Sequence, residues 1–442
     1  INSSFANNRF TLKKLLGQGT YGKVVSAIDN HNNNKIIAIK IIKSIKKYRE
    51  ASKIELRILS TIKKFDPESY YNCILIKEFI DYKNHICIIT DLLSISLFDF
   101  LEKNNFRKFP GSHIQSFSKQ ILTSICFLHD LNIIHTDLKP ENILLINSDY
   151  ISNKFPKNLS VLNNTSNLIY KNYFNSISKQ TSLESKILID TSINIIDFGS
   201  AIFNDEFHSS IVSTRHYRAP EIIFGIGWSY DCDLWSIGCI LAELVVGEAI
   251  FKTHDNIEHL LMMEKITNKR IDLNLISKCC LTQDLKQKRI KRTPYKNYSK
   301  HFLSDDDELM DESDRVKRKP SFKKKYSLEN GRRFIKQKFP RDYPKTSKGF
   351  VNSISRIDIL VSSSIGININ SDLPLEESFI NFDNKNKPVD KDTFTFWYFF
   401  IDLLIKLLTI EPHKRISAWE ALNHPWFQLG IYDEGTSNAS NH

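Results

Sequence analysis

The chain has 442 residues, of which 41% are hydrophobic, 11% aromatic and 25% charged, enough apolar material to build real cores and to exclude a disordered chain. At roughly 100–200 residues per domain the length predicts two or three packed units. Lys and Arg outnumber Asp and Glu by 61 to 50, a formal charge of +11, which permits nucleotides, phosphopeptides or nucleic acid as partners and equally a solvated basic surface. The seven cysteines, at 73, 87, 126, 232, 239, 279 and 280, form no CxxC pair, so reduced thiols in an intracellular protein are expected. No apolar stretch is long enough to span a membrane, and the opening INSSFANNRF lacks the charged start and apolar centre of a signal peptide. A first residue of Ile rather than Met reads as a piece of a longer protein.

After a tail at residues 1–8, the runs RFTLKKLL, KVVSAID, KIIAIKII, CILIKEFI and HICIIT predict a twisted antiparallel sheet. One helical stretch, Tyr48 to Ile62, interrupts them. Beyond Ser96 the period becomes helical, over Leu97 to Asn104, Ile114 to Asp130, Asp231 to Val246, Asn256 to Ile266 and Phe394 to Leu408. Two stretches break the pattern and read as insertions, 147–192, rich in Asn and Ser, and about 277–325, dense in charge. Residues 428–442 end in DEGTSNASNH, without an apolar anchor, and are expected to be a mobile tail. The fold class predicted is α+β with two lobes: a small β-rich lobe at 9–90, a hinge at 91–95 and a mainly helical lobe at 96–427.

The first chemical signal is Leu16, Gly17, Gln18, Gly19, Thr20, Tyr21, Gly22, Lys23 and Val24, between two predicted strands. Dinucleotide-binding glycines end a strand and open a helix; here a strand follows. Glycines between strands form a flap whose backbone approaches phosphates without Cβ interference, with Tyr21 at its tip and Val24 toward a base. A plain hairpin remains open at this step. Next, Lys40 ends the apolar run Ile37, Ala38, Ile39, and an ammonium there needs an anionic partner. Glu55, in the predicted helix, reaches it from one side while nucleotide phosphates hold it from the other.

The densest cluster is IHTDLKPENILL at 134–145 followed by IIDFG at 195–199. Phosphoryl transfer needs an in-line hydroxyl, a carboxylate to orient it, and cations over the phosphates. Asp137 suits the base, Lys139 the developing charge, and Asn142 and Asp197 offer hard oxygen ligands for Mg²⁺. Core packing explains the leucines here but not three acidic or amide groups among them.

These residues resemble those of eukaryotic protein kinases from about residue 9 to 427. STRHYRAPE at 213–221 looks like the end of an activation segment, and DCDLWSIGC at 231–239 like the helix that supports it. The resemblance implies ATP and Mg²⁺ as cofactors. It implies that Thr214 bonds Asp137 and Lys139, that Glu221 pairs with Arg415, and that Asp233 anchors the catalytic loop. It also places Ala38, Leu144 and the hinge residues Asp91 and Leu93 around the nucleotide.

EHLLMMEKI at 258–266 resembles the EHLAMMERI signature of the LAMMER, or CDC-like, branch, and HTDLKPEN, DFGSA and NSDY agree with it. DYRK- and PRP-type kinases are the nearest rivals. The branch implies Ser/Thr phosphorylation with possible tyrosine autophosphorylation, Ser/Arg-rich splicing factors as substrates, and a nuclear setting. A monomer without direct nucleic-acid or membrane partners is expected. Thr136 stands where most regulated kinases place an arginine that grips an activation-loop phosphate, and Ile211 where MAP and DYRK kinases carry the activating tyrosine, so activity without that phosphorylation is expected. Thr90 stands at the gatekeeper position, where many relatives carry Phe. Arg218 resembles an arginine near the residue after the target hydroxyl, implying proline or a small residue there.

Within the second insertion, LKQKRIKR and RVKRKPSFKKK flank SDDDELMDESD. Solvated charge is the default reading; a nuclear import signal and an acidic docking strip for arginine-rich substrates are the sharper ones. Two rival classes remain. A catalytically dead scaffold would require loss of Lys40, Asp137, Asn142 or Asp197, and a nucleic-acid reader would require motifs that are absent here.

Overall fold

The computed structural model describes residues 3–154, 184–272, 275, 345–380 and 389–436. The predicted pieces LKQKRIKR, SDDDELMDESD and RVKRKPSFKKK, and Cys279 and Cys280, lie outside the described residues.

The small lobe is a six-stranded antiparallel sheet of β1 (Ser4–Phe5), β2 (Phe10–Gln18), β3 (Gly22–Asp29), β4 (Lys35–Ile42), β5 (Ile76–Tyr82) and β6 (His85–Asp91), in the order β1-β2-β3-β4-β6-β5. The two-residue period divides its faces. Ile37, Ile39, Cys87 and Ile89 join Phe10, Val25 and Ala27 in one small core, whereas Ile42, Ile86 and Ile88 face the other way into the main core. Helix α1 (Lys46–Phe65) covers that second face with Leu56, Ile58, Leu59 and Ile62. It starts two residues before and ends three after the stretch predicted from periodicity, and Lys63 and Lys64 oppose its C-terminal partial charge.

The larger lobe opens with α2 (Leu97–Lys103), closed at its N-terminus by a capping box between Ser96 and Asp99, and α3 (Gly111–Asp130). Short strands β7 (Ile133–Ile134), β8 (Ile143–Leu145), β9 (Tyr150–Lys154), β10 (Glu184–Leu188), β11 (Ile193–Ile195) and β12 (Ile202–Phe203) pair two by two, as β7 with β12, β8 with β11, and β9 with β10. The described ends of the first predicted insertion are therefore not loop but an antiparallel ladder, fixed to α2 where Asn104 exchanges hydrogen bonds with Lys186 at 2.8 and 3.1 Å.

Then come α4 (Pro220–Phe224), α5 (Asp231–Val246), α6 (Asn256–Thr267), α7 (Lys345–Ser353), α8 (Ile357–Ile365), α9 (Leu375–Ile380), α10 (Lys391–Leu407) and α11 (Ala418–Leu422). Helix α5 is buried from Cys232 to Val245 and forms the lobe's axis. Helix α10 begins three residues before Phe394 because Asp390 accepts a hydrogen bond from the Thr393 amide at 2.8 Å and sets the start. Its Phe400 packs on Trp426, ring centres 4.9 Å apart.

The expected mobile tail is docked up to residue 436. Leu429 and Ile431 pack on the core, and Asp433 accepts from the Ser112 amide at 2.9 Å and hydroxyl at 2.6 Å. A polar anchor at the start of α3 is invisible to a search for apolar ones. Cys73, Cys87, Cys126, Cys232 and Cys239 are free thiols, and among the described residues no helix is long and apolar enough to cross a membrane.

Candidate active site

The glycine flap joins β2 to β3, where Gly17 faces Val24 and Gln18 faces Lys23. Leu16 precedes them, exposed, and Gly19 closes the turn by donating to the Gly22 carbonyl at 3.0 Å. A Cβ on Gly22 would fall 2.1 Å from the Ile41 carbonyl oxygen, so the fold itself demands glycine there. At Gly17 and Gly19 a Cβ would meet no protein atom within 4 Å; there the missing side chains leave room for a ligand's phosphates. Beyond Thr20 the tip is held from the β4–α1 connection and from α1 itself. The Tyr21 carbonyl accepts from the Lys43 amide at 2.9 Å, and its ring meets Tyr48 edge-on at 5.4 Å. Tyr48 was missed in the sequence, although it precedes Glu55 by seven positions, two turns along one helix face.

Glu55 lies on the buried stripe of α1 with Ser52, Leu56, Leu59 and Ile62, a place where a carboxylate requires a charged partner. Lys40 supplies it. Its ammonium donates to Glu55 Oε1 at 2.6 Å and to Asp197 Oδ1 at 2.8 Å. Burial alone would favour the neutral amine, but the two carboxylates outweigh it and raise the Lys40 pKa. Through Lys40 the Asp197 carboxylate is lowered to about 2 and is charged at neutral pH. A Cβ on Gly199 would come within 3.1 Å of Asp197 Oδ1 and 3.3 Å of Lys40 Nζ, so glycine keeps this cluster open.

Strand pairing sets Ala38 beside Thr90, whose hydroxyl donates to the Asp91 carbonyl at 3.2 Å. The Asp91 side chain is taken by Lys35 at 2.9 Å and Lys77 at 3.0 Å, which tie the hinge to β4 and β5. Past Leu93, the Ser94 amide donates to Leu145 and the Leu145 amide to Ile95, both at 2.9 Å. The hinge is thereby bonded to β8, the strand that carries Leu144.

Asp233, fully buried on α5, accepts from the His135 and Thr136 amides at 2.9 Å each and faces His129 Nε2 at 3.1 Å. This fixes the catalytic loop from below. Asp137 then receives the Lys139 ammonium at 2.8 Å, the Thr214 hydroxyl at 2.7 Å and the Thr214 amide at 2.9 Å, and Lys139 also donates to the Thr214 hydroxyl at 3.0 Å. Burial pushes the Asp137 carboxyl upward, but Lys139 and Thr214 bring it net below the ordinary range. Asn142 donates to the Asp137 carbonyl at 2.9 Å and accepts from the Ile196 amide at 2.9 Å. The second of these bonds is made by the Asn142 backbone carbonyl, just beyond the β8–β11 pairing and one residue before Asp197. The oxygen donors of Asn142 and the charged Asp197 fit a hard divalent cation.

Three non-glycine residues here hold left-handed backbone, Thr136 at φ 66°, Asp197 at 61° and Ser213 at 66°. Such positions cost about 1–3 kcal/mol each and persist only where the surroundings enforce them. The Thr136 hydroxyl donates to the Ser200 carbonyl at 2.9 Å, and the Ser213 hydroxyl donates to the Thr136 carbonyl at 2.6 Å. Both ends of the activation segment are thus bound to the residue before Asp137. His135, quoted in the motif but given no role, accepts from the Asp137 amide at 3.3 Å and packs edge-on against buried Phe198 at 5.3 Å.

Arg218 donates to the Val212 and Ser213 carbonyls at 3.0 and 2.8 Å, fixing the loop after the site. Arg415 grips Glu221 beneath it. The 258–266 stripe lies in α6, with His259 to Glu264 all buried, and it is core.

The chain matches the protein kinase domain family over residues 10–155 and 184–427. It is 40% identical to the dual specificity protein kinase KNS1 of Saccharomyces cerevisiae over 99% of this chain and 58% of that protein. It is 38% identical to the dual specificity protein kinase CLK4 of Homo sapiens, over 95% of this chain and 66% of that one. It therefore spans less than two thirds of either relative. A solved crystal structure of a kinase domain matches with a TM-score of 0.65 at 27% identity, covering 95% of this chain and 96% of the other.

Proposed function

Because the chain belongs to the protein kinase family, in its LAMMER or CDC-like branch, we propose that it transfers the γ-phosphoryl group of ATP to serine and threonine hydroxyls of proteins. The observation that carries this reading is the Asp137, Lys139 and Thr214 triangle, 2.7–3.0 Å on a side, beside the Lys40 link to Glu55 and Asp197. Asp137 orients the incoming hydroxyl and accepts its proton, and its lowered pKa keeps it ready as a base. Lys139 offsets charge that builds on the transferred group, and Lys40 holds the α and β phosphates under the open glycines. Asn142 and Asp197 would hold Mg²⁺, which when bound neutralises phosphate oxygens.

Arginine/serine-rich proteins as substrates, tyrosine autophosphorylation and a nuclear setting complete the proposal. Tyrosine autophosphorylation is supported by relatives named as dual specificity kinases, and the substrate class and setting by the resemblance of the LAMMER-like residues alone. A second reading, proline-directed transfer, is favoured by Arg218, which resembles the arginine near the residue after the target hydroxyl and is held on the Val212 and Ser213 carbonyls.

The test is transfer of labelled γ-phosphate from Mg-ATP to a serine/arginine-rich peptide, a proline-directed peptide and a poly-basic control, with Asp137→Asn alongside. Preference for the first, abolished by the substitution, supports the proposal. Preference for the second moves the enzyme toward the DYRK side, and no transfer to any revives a scaffold.

A further inference from the structure

Arg57 stands two residues after Glu55 on α1, so the two side chains leave the helix about 200° apart. Glu55 turns inward to Lys40, while Arg57 reaches out and pairs with Glu206 of the activation segment. The Arg57 guanidinium also lies over the Phe203 ring, 4.8 Å from its centre, and the Glu206 amide donates to the Phe203 carbonyl at 3.0 Å. Arg57 is therefore held by a carboxylate and an aromatic face of one short turn.

That turn is itself fixed to the larger lobe. On one side Asn204 donates its amide to the Asn132 carbonyl at 2.8 Å and accepts from the Ser229 hydroxyl at 2.8 Å. On the other, His208 stacks on Trp228 at 4.3 Å, and the Trp228 indole donates to the Ser209 carbonyl at 2.8 Å. Glu206 lies between these anchors.

We propose that Arg57 and Glu206 are positioning residues which brace α1 against the larger lobe and so keep Glu55 on Lys40, a carboxylate in the chain serving where a phosphate would otherwise be needed. Rotation or withdrawal of α1 that separates Glu55 from Lys40 must also break the Arg57 contacts. The pair is partly exposed, 52% and 31%, so its effect is moderate: a surface ion pair and a cation–π contact together predict an approximately three- to tenfold change. The inference rests on the role given above to Lys40 and Glu55.

The experiment compares Arg57→Glu, Glu206→Arg and the doubly swapped protein by steady-state phosphate transfer, and by hydrogen exchange along α1, which needs no turnover. Each single reversal is expected to lower kcat about three- to tenfold with peptide KM unchanged and to speed α1 exchange. The swap restores most of both, and in a Glu55→Gln background the reversals no longer lower kcat. Equal kcat and exchange in all forms overturns the brace, as does a loss that the swap leaves unrestored. A rise in peptide KM alone overturns it too, since Glu206 would then contact substrate. Altered and restored α1 exchange with kcat unchanged would keep the brace and instead defeat the catalytic role given to Lys40 and Glu55.

Discussion

Arg415 donates to both carboxylate oxygens of Glu221, at 2.8 and 3.0 Å, with neither side chain exposed. It also donates to the Thr409 and Asp231 carbonyls at 2.9 and 2.7 Å. Removing one partner strands a buried charge, which costs about 3–5 kcal/mol. Arg415→Met is therefore expected to lower the urea midpoint by that equivalent, and Arg415→Met with Glu221→Leu to recover part of it. A loss below about 1 kcal/mol for the single variant would show that the pair is not structural.

Thr214 donates twice to one oxygen of Asp137, and with Lys139 it holds that carboxyl below its ordinary range. In the wild type the acid limb of kcat/KM due to Asp137 should then lie below the ordinary carboxylate range. Thr214→Ala removes a donor that lowers the pKa, so the limb moves to higher pH than in the wild type. Asp137→Asn is expected to reduce kcat by about 10²–10⁴ at every pH. A pH–rate profile of Thr214→Ala parallel to the wild type would count against the hydroxyl's part.

The Thr136 hydroxyl, bonded to the Ser200 carbonyl at 2.9 Å, ties the catalytic loop directly to the activation segment. Phosphatase-treated enzyme is expected to keep most of its turnover, measured on the same peptide before and after treatment. Loss of most of the turnover would mean that a phosphate does what Thr136 and Ser213 are assigned here.

Asp137 to Asn142 could be read from the chain because the chemistry is concentrated in six consecutive positions, and local spacing carries the roles. The small lobe was legible for a similar reason: alternate residues of Ile37–Ile42 and Ile86–Ile89 face different cores. Helix α8, IDILVSSSI, was not, since Ile, Val and Ser carry little helical preference and its hold comes partly from Arg356 bonding Asp358 at 2.9 Å and Asp372 at 2.6 Å. Arg57 and Glu206 are 149 positions apart, and no local pattern announces a contact that only the closed fold creates.

Thr90 pairs with Ala38 across the sheet, two small residues side by side just before the hinge. Bulky hydrophobic ATP-site inhibitors are therefore expected to bind, and Thr90→Phe to weaken them at least tenfold while changing the KM for ATP less than threefold. Inhibition unchanged by Thr90→Phe would show that neighbouring side chains already fill that space.

Glu264 is buried in α6, with one oxygen accepting from the Ile271 amide at 2.8 Å and the other unpaired. Burial raises its pKa from 4.5 to about 7. The folded chain thus keeps a proton that the unfolded chain gives up between about pH 4.5 and 7, and stability falls as pH rises through that window, by on the order of 3 kcal/mol. Glu264→Gln retains the acceptor and cannot ionise. Its melting temperature is expected to exceed the wild type's at pH 8 and to converge with it at pH 5. Glu243, raised to about 7 as well, titrates in both proteins and cancels from the difference. A gap that is the same at both pH values would mean that Glu264 does not carry the proton.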